Sequence, residues 1–178
     1  VSYSTDDRVE LAEIFDGNEA LIKKYTEKLA TTFERVEYAK NNFIRVVKVM
    51  KAFILNDSVK SFLCLNNKLP QENKGLFDIK LLEDFADAII KLYGIKGLKG
   101  KELLYSINSE DYDAKRAEFI QRLSKGEKLF VISSYNTVGA GQNLQYKAQA
   151  NANIVAVNDY GRGDMEKDFD CIYLEKPT

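Results

Sequence analysis

Hydrophobic residues in the first third of the chain recur at the spacing of amphipathic helices. A polar start at residues 5–7 offers cap oxygens to a first helix, which Asp16-Gly17-Asn18 then interrupts. From Glu19 onward, apolar residues three and four positions apart predict a second helix whose continuation reaches Phe53. We therefore expect a helical segment over residues 1–57, packed as an extension within the molecule or available to a packing partner.

The pattern changes near residue 58, where short apolar runs begin to alternate with helical stripes. The apolar runs predict strands at residues 59–65, 103–107, 129–134, 153–157 and 171–174. The stripes predict helices over residues 78–93 and 109–123, the second closed by Lys125-Gly126. Because parallel strands that are covered on both faces read as continuous apolar runs, this order predicts an α/β fold with a mostly parallel sheet.

Composition limits the kinds of partner that the whole surface could attract. The chain has 178 residues, 45% hydrophobic and 30% charged, with a net charge of -1. A nearly neutral protein has no general electrostatic attraction for nucleic acid, so any such contact would come from a local site. The lysine clusters at Lys23-Lys24 and at Lys96, Lys99 and Lys101 are interpreted as solvated surface.

Several kinds of chemistry are excluded or disfavoured by residue usage. The absence of histidine excludes Ser-His, Cys-His and His-metal mechanisms. Cys64 and Cys171 lie in apolar runs, where free cysteine behaves as a small hydrophobic residue, and the cytoplasm is the expected location. Paired acids such as Asp168 and Asp170 are interpreted as surface residues, so no metal site is expected. No signal peptide or membrane span is predicted.

The stretch that carries candidate chemistry begins at the strand of residues 129–134. This strand ends in paired hydroxyls and leads to a loop with Gly139 and Gly141. Glycines allow the backbone to approach a ligand closely, and successive backbone N–H groups can bind an anion. Hydroxyl and amide side chains, those of Ser134, Thr137 and Asn143, could add uncharged hydrogen bonds to phosphate or sugar. A tight turn without a ligand explains the glycines equally well.

Known phosphate-binding patterns are incomplete here. Gly139 and Gly141 do not complete Gly-x-Gly-x-x-Gly, because Leu144 occupies the third position. No Gly-x-x-x-x-Gly-Lys-Ser/Thr loop occurs in the 178 residues. The glycine spacing alone therefore does not identify a nucleotide site.

As a whole, the stretch resembles motif V of superfamily 2 helicases, and it is closest to the Swi/Snf-type form. The positions that match in register are Ser134, Gly139, Gly141, Asn143 and Leu144. The resemblance covers roughly residues 58–178 and extends to the order of the elements. Residues 59–65 resemble the motif IV strand, residues 103–123 resemble the strand and arginine-containing helix before motif V, and residues 170–177 resemble the strand that leads to motif VI.

This resemblance implies a RecA-like second lobe over residues 58–178, a three-layer fold with helices on both faces of the sheet. Residues 1–57 would then be a helical extension or an insertion between lobes. The implied function is that of an ATP-dependent nucleic-acid helicase or translocase, with the first RecA-like lobe as a partner in cis. ATP and Mg²⁺ are expected in the intact parent protein, and neither is expected to bind this fragment tightly.

The resemblance also assigns roles to individual residues. Nucleic-acid contact is implied for Ser133, Ser134, Tyr135 and Thr137. Nucleotide contact is implied for Gly139, Gly141, Gln142 and Asn143. Tyr135 departs from the threonine usual in the family, so its ring would stack on a base or simply pack. Residues 147–169 form an insertion that the family pattern lacks.

No catalytic residue is expected in this fragment. The phosphate loop and Mg²⁺ ligands of the first lobe and the arginines of motif VI are missing, and phosphoryl transfer depends on them. Two alternatives stay open. One is a domain that binds a nucleotide or sugar phosphate without motor activity. The other is an interaction or scaffold domain whose helices bind a partner.

Overall fold

The computed structural model describes residues 7–34, 36–67, 77–138, 145–147 and 166–175. The chain divides into two compact units. The helical unit comprises Val1–Asn56 and Pro70–Glu102, and the α/β unit comprises Asp57–Leu69 and Leu103–Thr178. Residues 70–102 thus group with the N-terminal helices, whereas the border near residue 57 coincides with the change of pattern in the sequence. The assignment of residues 58–178 to one lobe stays a prediction.

Among the described residues, the main helices of the helical unit are α1 (Asp7–Ile14), α2 (Glu19–Phe33), α3 (Glu37–Leu55) and α4 (Ile79–Leu92). Asp16 and Gly17 adopt positive φ angles of 52° and 72° between α1 and α2, which produces the predicted interruption. The Asn18 side chain caps α2 by accepting a hydrogen bond from the Leu21 N–H. Aromatic packing joins these helices, because the ring of Phe85 contacts those of Phe15, Tyr25 and Phe43.

The prediction of one helix continuing from Glu19 to Phe53 is wrong. The helix ends at Phe33, and Glu34 has a φ angle of 39°, which a continuing helix does not allow. The chain resumes as α3 at Glu37. Apolar spacing on both sides of the break keeps the same period, so the periodicity by itself does not reveal the turn.

A short helix, α5 (Gly100–Leu103), leads into the α/β unit. The unit contains two further helices, α6 (Tyr112–Ser124) and α7 (Tyr135–Val138). Its strands are β1 (Ser61–Asn66), β2 (Leu104–Ser106), β3 (Leu129–Ser134), β4 (Tyr146–Lys147), β5 (Glu166–Lys167) and β6 (Cys171–Leu174). β4 and β5 pair antiparallel as a separate ribbon. The prediction of strands at residues 129–134 and 171–174 is confirmed.

The main sheet has the strand order β2-β3-β1-β6, and every neighbouring pair is parallel. The predicted α/β class and parallel sheet are therefore confirmed. β1 and β3 are buried at every position, as their continuous apolar runs indicate. Register brings Asn66 beside Ser134 at the carboxyl ends of the two strands.

One face of this sheet forms a core with α6 and the β4–β5 ribbon. Leu63 and Leu65 of β1 and Val131 of β3 cluster with Phe119 of α6. Tyr146 and Phe169 extend the cluster with aromatic contacts, their ring centroids 6.0 Å apart. This apolar packing holds β1, β3 and α6 together in one core.

Two predicted features fall on parts of the chain that the structure does not describe. The strand at residues 153–157 and the glycine loop at residues 139–143 lie outside the described residues. Within the described ranges, no helix is long and apolar enough to cross a lipid bilayer.

Candidate functional site

The strand order creates a switch point between β1 and β3. From β1 the chain crosses β3 to reach β2. From β3 it crosses in the opposite direction, past β1, to reach β6, its next strand in this sheet. Connections that leave neighbouring parallel strands in opposite directions open a crevice at the carboxyl ends of those strands, where ligands of α/β proteins bind. The carboxyl edge of β1 and β3 is therefore the candidate site.

Two of the predicted contact residues, Ser133 and Ser134, end β3 at this edge. The Ser133 hydroxyl is buried and donates a hydrogen bond of 3.1 Å to the Ile107 carbonyl. The Ser134 oxygen accepts a hydrogen bond of 3.2 Å from the Thr137 N–H and lies 2.9 Å from the Thr137 hydroxyl. Ser134 thus caps α7, and both serines have internal partners.

Thr137 and Tyr135, the other two predicted contacts, belong to α7. Thr137 is buried beside Ser134. The half-buried Tyr135 packs its ring on the sheet core and donates a hydrogen bond of 2.5 Å from its hydroxyl to the Glu175 carbonyl. Burial raises the pKa of Tyr135, and the nearby Glu175 and Cys64 raise it further. The phenol is therefore a neutral donor at physiological pH.

Glu175, directly after β6, joins three strand ends. Its carboxylate accepts a hydrogen bond of 2.7 Å from the Asn67 N–H, just past β1. Its own N–H donates to the Leu65 carbonyl at 3.0 Å, and its carbonyl accepts from Tyr135. Only 4% of Glu175 is exposed. Sequence reasoning missed this residue, although an acid that follows a strand of a parallel sheet lies where carboxyl ends gather.

Asn66, the last residue of β1, is fully buried. Among the residues that the structure describes, its Nδ2 atom has no hydrogen-bond partner, and its Oδ1 atom lies 3.7 Å from the Cys64 thiol. Exchanging the two ends of the amide still leaves one polar atom unpaired. Burial and the charge of Glu175 raise the pKa of Cys64, so this thiol is not a nucleophile at neutral pH.

The described part of the edge offers hydroxyls, an amide and a buried carboxylate. Such groups suit hydrogen bonding to a sugar or phosphate better than proton transfer, since the pKa values of Cys64 and Tyr135 are both raised, which moves them away from neutrality. Across the described ranges, no group of three or more Cys, Asp or Glu side chains could hold a metal ion. The predicted nucleotide contacts Gly139, Gly141, Gln142 and Asn143 lie outside these ranges.

The acid pair Asp168 and Asp170 lies toward the amino ends of the strands. The Asp170 carboxylate accepts hydrogen bonds from the N–H groups of Lys60 and Ser61 at 2.8 and 3.1 Å. Burial raises the pKa of Asp170, but Lys167 and these two N–H groups outweigh burial and lower it. Asp170 therefore fixes β1 and the turn before β6.

A groove of about 700 Å³ lies in the helical unit between α2 and α4. Lysines and aspartates both line it, and Lys28 pairs with Asp84 at 2.7 Å. Tyr25 closes the same end by donating to the Asp84 carbonyl at 3.0 Å. The mixed charge gives this groove no preference for an anion or a cation.

Comparisons with known proteins do not identify a family for the chain. No protein-family model matches it, and no curated protein matches it. Its function is therefore argued from the carboxyl edge of the sheet and from the sequence motif found there.

Proposed function

We propose that this chain is a fragment of an ATP-dependent nucleic-acid helicase or translocase, in which residues 58–178 form an incomplete second RecA-like lobe. One observation carries the proposal: residues 133–138, the start of the motif V-like stretch, form the end of β3 and α7 at the switch point beside β1. A motor of this kind needs its coupling loop at the carboxyl edge of a parallel sheet, where ligands bind. The parallel order of all four strands supports the same assignment.

Under this proposal, residues 133–137 face the nucleic acid and residues 139–143 face the nucleotide. The internal hydrogen bonds of Ser133, Ser134 and Thr137 limit what those hydroxyls can offer to a ligand. Tyr135 differs, because its half-buried ring leaves part of the aromatic surface accessible. Stacking of a base on this ring gives a contact that does not depend on base identity.

ATP and Mg²⁺ would act in the intact cytoplasmic protein, where the first lobe binds in cis. Closure of the two lobes around ATP would pull on the motif V-like loop and so couple closure to movement along the strand. The chain alone would not hydrolyse ATP, since its sequence contains no phosphate loop. A phosphate-release assay with ATP and Mg²⁺ should therefore give the buffer rate, with or without nucleic acid.

The test of binding is a titration of the ¹⁵N-labelled chain followed by two-dimensional NMR. A single-stranded oligonucleotide of about ten thymidines or uridines should shift the amides of residues 133–138. A non-hydrolysable ATP analogue should shift the amides of residues 139–143. The variant that tests stacking is Tyr135→Leu, which keeps an apolar side chain but removes the aromatic surface. It should bind the oligonucleotide several-fold more weakly than wild type.

The alternatives predict different results in the same titration. A nucleotide or sugar-phosphate domain without motor activity would respond to the nucleotide and leave its spectrum unchanged with the oligonucleotide. A scaffold domain would respond to neither ligand. If the folded chain shows no shift at residues 133–143 with saturating oligonucleotide, the motor proposal is wrong.

A further inference from the structure

The ends of three strands meet at one buried residue. The Glu175 carboxylate accepts a hydrogen bond of 2.7 Å from the Asn67 N–H. The Glu175 backbone carbonyl accepts one of 2.5 Å from the Tyr135 hydroxyl. Its N–H group binds the Leu65 carbonyl at 3.0 Å. The side chain and the backbone of one residue therefore hold both strands of the switch point, β1 through residues 65 and 67 and β3 through Tyr135.

We propose that Glu175 is a positioning residue that fixes Tyr135, and with it α7, in the orientation that binds single-stranded nucleic acid. This inference rests on the proposed function and adds a residue outside the motif V-like stretch. Glu175 acts through its neighbours: its carboxylate anchors residue 175 on the end of β1, and the anchored carbonyl then holds the Tyr135 hydroxyl.

The chemistry of the contacts explains why an acid suits this position. A carboxylate accepts strongly from a backbone N–H, and a charge-assisted bond of this kind holds its geometry better than a neutral one. A buried carboxylate costs free energy unless it is hydrogen-bonded. Glu175 is only 4% exposed, so its hydrogen bond from the Asn67 N–H offsets the cost of burying the charge. Once Asn67 is bound, the carbonyl of residue 175 has a fixed place relative to β1 and, through the parallel register, relative to β3.

Three variants separate positioning from general stability. Glu175→Ala removes the acceptor for Asn67, Glu175→Gln keeps an acceptor oxygen, and Tyr135→Phe removes only the hydroxyl that binds the carbonyl. The matched control is Phe119→Leu, which loosens the same core from α6 without touching these contacts. For each variant we would measure the thermal midpoint, the affinity for a fluorescein-labelled single-stranded oligonucleotide, and the amide spectrum of the unliganded chain.

We expect Glu175→Ala to weaken binding about tenfold and Tyr135→Phe to weaken it about threefold. Glu175→Gln should bind within about twofold of wild type, because its amide oxygen still accepts from Asn67. The double variant Glu175→Ala/Tyr135→Phe should be no weaker than Glu175→Ala alone, since both changes break one chain of contacts. Phe119→Leu should lose thermal stability and keep its affinity.

Positioning is refuted if Phe119→Leu loses as much affinity as Glu175→Ala, or if the two site changes add fully. If Glu175→Ala does not fold, the test compares the oligonucleotide affinities of Tyr135→Phe and Glu175→Gln. Equal affinities for these two variants overturn the proposal. If wild type binds no oligonucleotide, the proposed function fails. The amide spectra of the unliganded variants then test by themselves whether Glu175 positions Tyr135. Positioning requires Glu175→Ala or Tyr135→Phe to shift the amides of residues 135–138 more than Phe119→Leu does.

Discussion

Ser133 and Asn66 are both buried at the carboxyl edge of the sheet, but their side-chain donors differ. The Ser133 hydroxyl donates to the Ile107 carbonyl, whereas the Asn66 Nδ2 atom has no partner within the described part of the chain. Burial removes water from both groups. A buried donor with a partner contributes modestly to stability, and one without a partner costs about 1–3 kcal/mol.

This difference predicts opposite effects for two conservative changes. Asn66→Leu should raise the free energy of unfolding by about 1 kcal/mol, because it replaces an unpaired amide with an apolar group of similar size. The matched change Ser133→Ala should lower it by about 1 kcal/mol, since it removes the buried hydrogen bond to the Ile107 carbonyl. Urea unfolding followed by circular dichroism measures both. Destabilisation by Asn66→Leu equal to that of Ser133→Ala would show that the amide is paired in solution.

At the scale of elements, contacts on α4 hold the segment that follows it. Gly100, the first residue of α5, donates its N–H to the Asp87 carboxylate at 2.7 Å. A Cβ atom at this position would lie 2.6 Å from the Glu83 carbonyl oxygen and 3.1 Å from the Ala86 side chain. The backbone can approach α4 this closely only because residue 100 has no side chain.

Gly100→Ala should therefore lower the free energy of unfolding by about 1–3 kcal/mol, because backbone must move to make room. Lys99→Ala, at the exposed neighbouring position, should change it by less than about 0.5 kcal/mol. Thermal unfolding of both variants measures the difference. Equal midpoints for the two variants would contradict the close approach of Gly100 to α4.

The contact of Tyr25 between α2 and α4 makes the stability of the helical unit depend on pH in the alkaline range. Burial raises the pKa of Tyr25 to about 12, with Asp84 and Asp87 adding to the shift. The unfolded chain loses the same proton near pH 10, so the folded state binds this proton more tightly. This contribution to stability is complete below about pH 10 and is lost as the pH rises toward about 12.

Tyr25→Phe should flatten part of the decline in stability between about pH 10 and 12, because phenylalanine has no proton to lose. It should also lower stability at pH 8, since the hydrogen bond to the Asp84 carbonyl is lost. The control is Tyr93→Phe, a ring in an exposed position. Unfolding midpoints measured across this range test the assignment, and identical profiles for wild type and Tyr25→Phe would refute it.

At the scale of the whole molecule, charge constrains how nucleic acid could bind. The net charge is -1, with 26 basic and 27 acidic residues interspersed along the chain. Binding through many lysine–phosphate contacts would release many counterions and depend steeply on salt. The proposed contacts use an aromatic ring and uncharged donors, which release few counterions.

We therefore expect a shallow salt dependence, with log K falling by less than about 2 per unit of log salt concentration. Replacing Lys96, Lys99 and Lys101 together with glutamine should change oligonucleotide affinity by less than about twofold. Fluorescence anisotropy at several salt concentrations measures both quantities. A steep slope that the triple variant reduces would show that these lysines form the binding surface.

Local signals in the sequence predicted most elements of the chain. The apolar run at residues 129–134 coincides with β3, and Asp16-Gly17-Asn18 forms the turn it was expected to form. These features depend on neighbouring residues, so periodicity and turn chemistry suffice. The break at Glu34 was missed because no glycine or proline marks it.

The candidate site divides in the same way. The parallel α/β class and the polar end of β3 could be predicted from the sequence, because alternating apolar runs and helical stripes leave few other arrangements. The position of β1 between β3 and β6 is known only from the folded chain, and it brings Asn66 and Glu175 to the same edge from positions 109 residues apart along the chain (175 − 66). Strand order is set by packing between distant segments, and no local pattern encodes it. The partners of buried polar groups depend on that order, so the unpaired amide and the buried carboxylate became visible only in the folded chain.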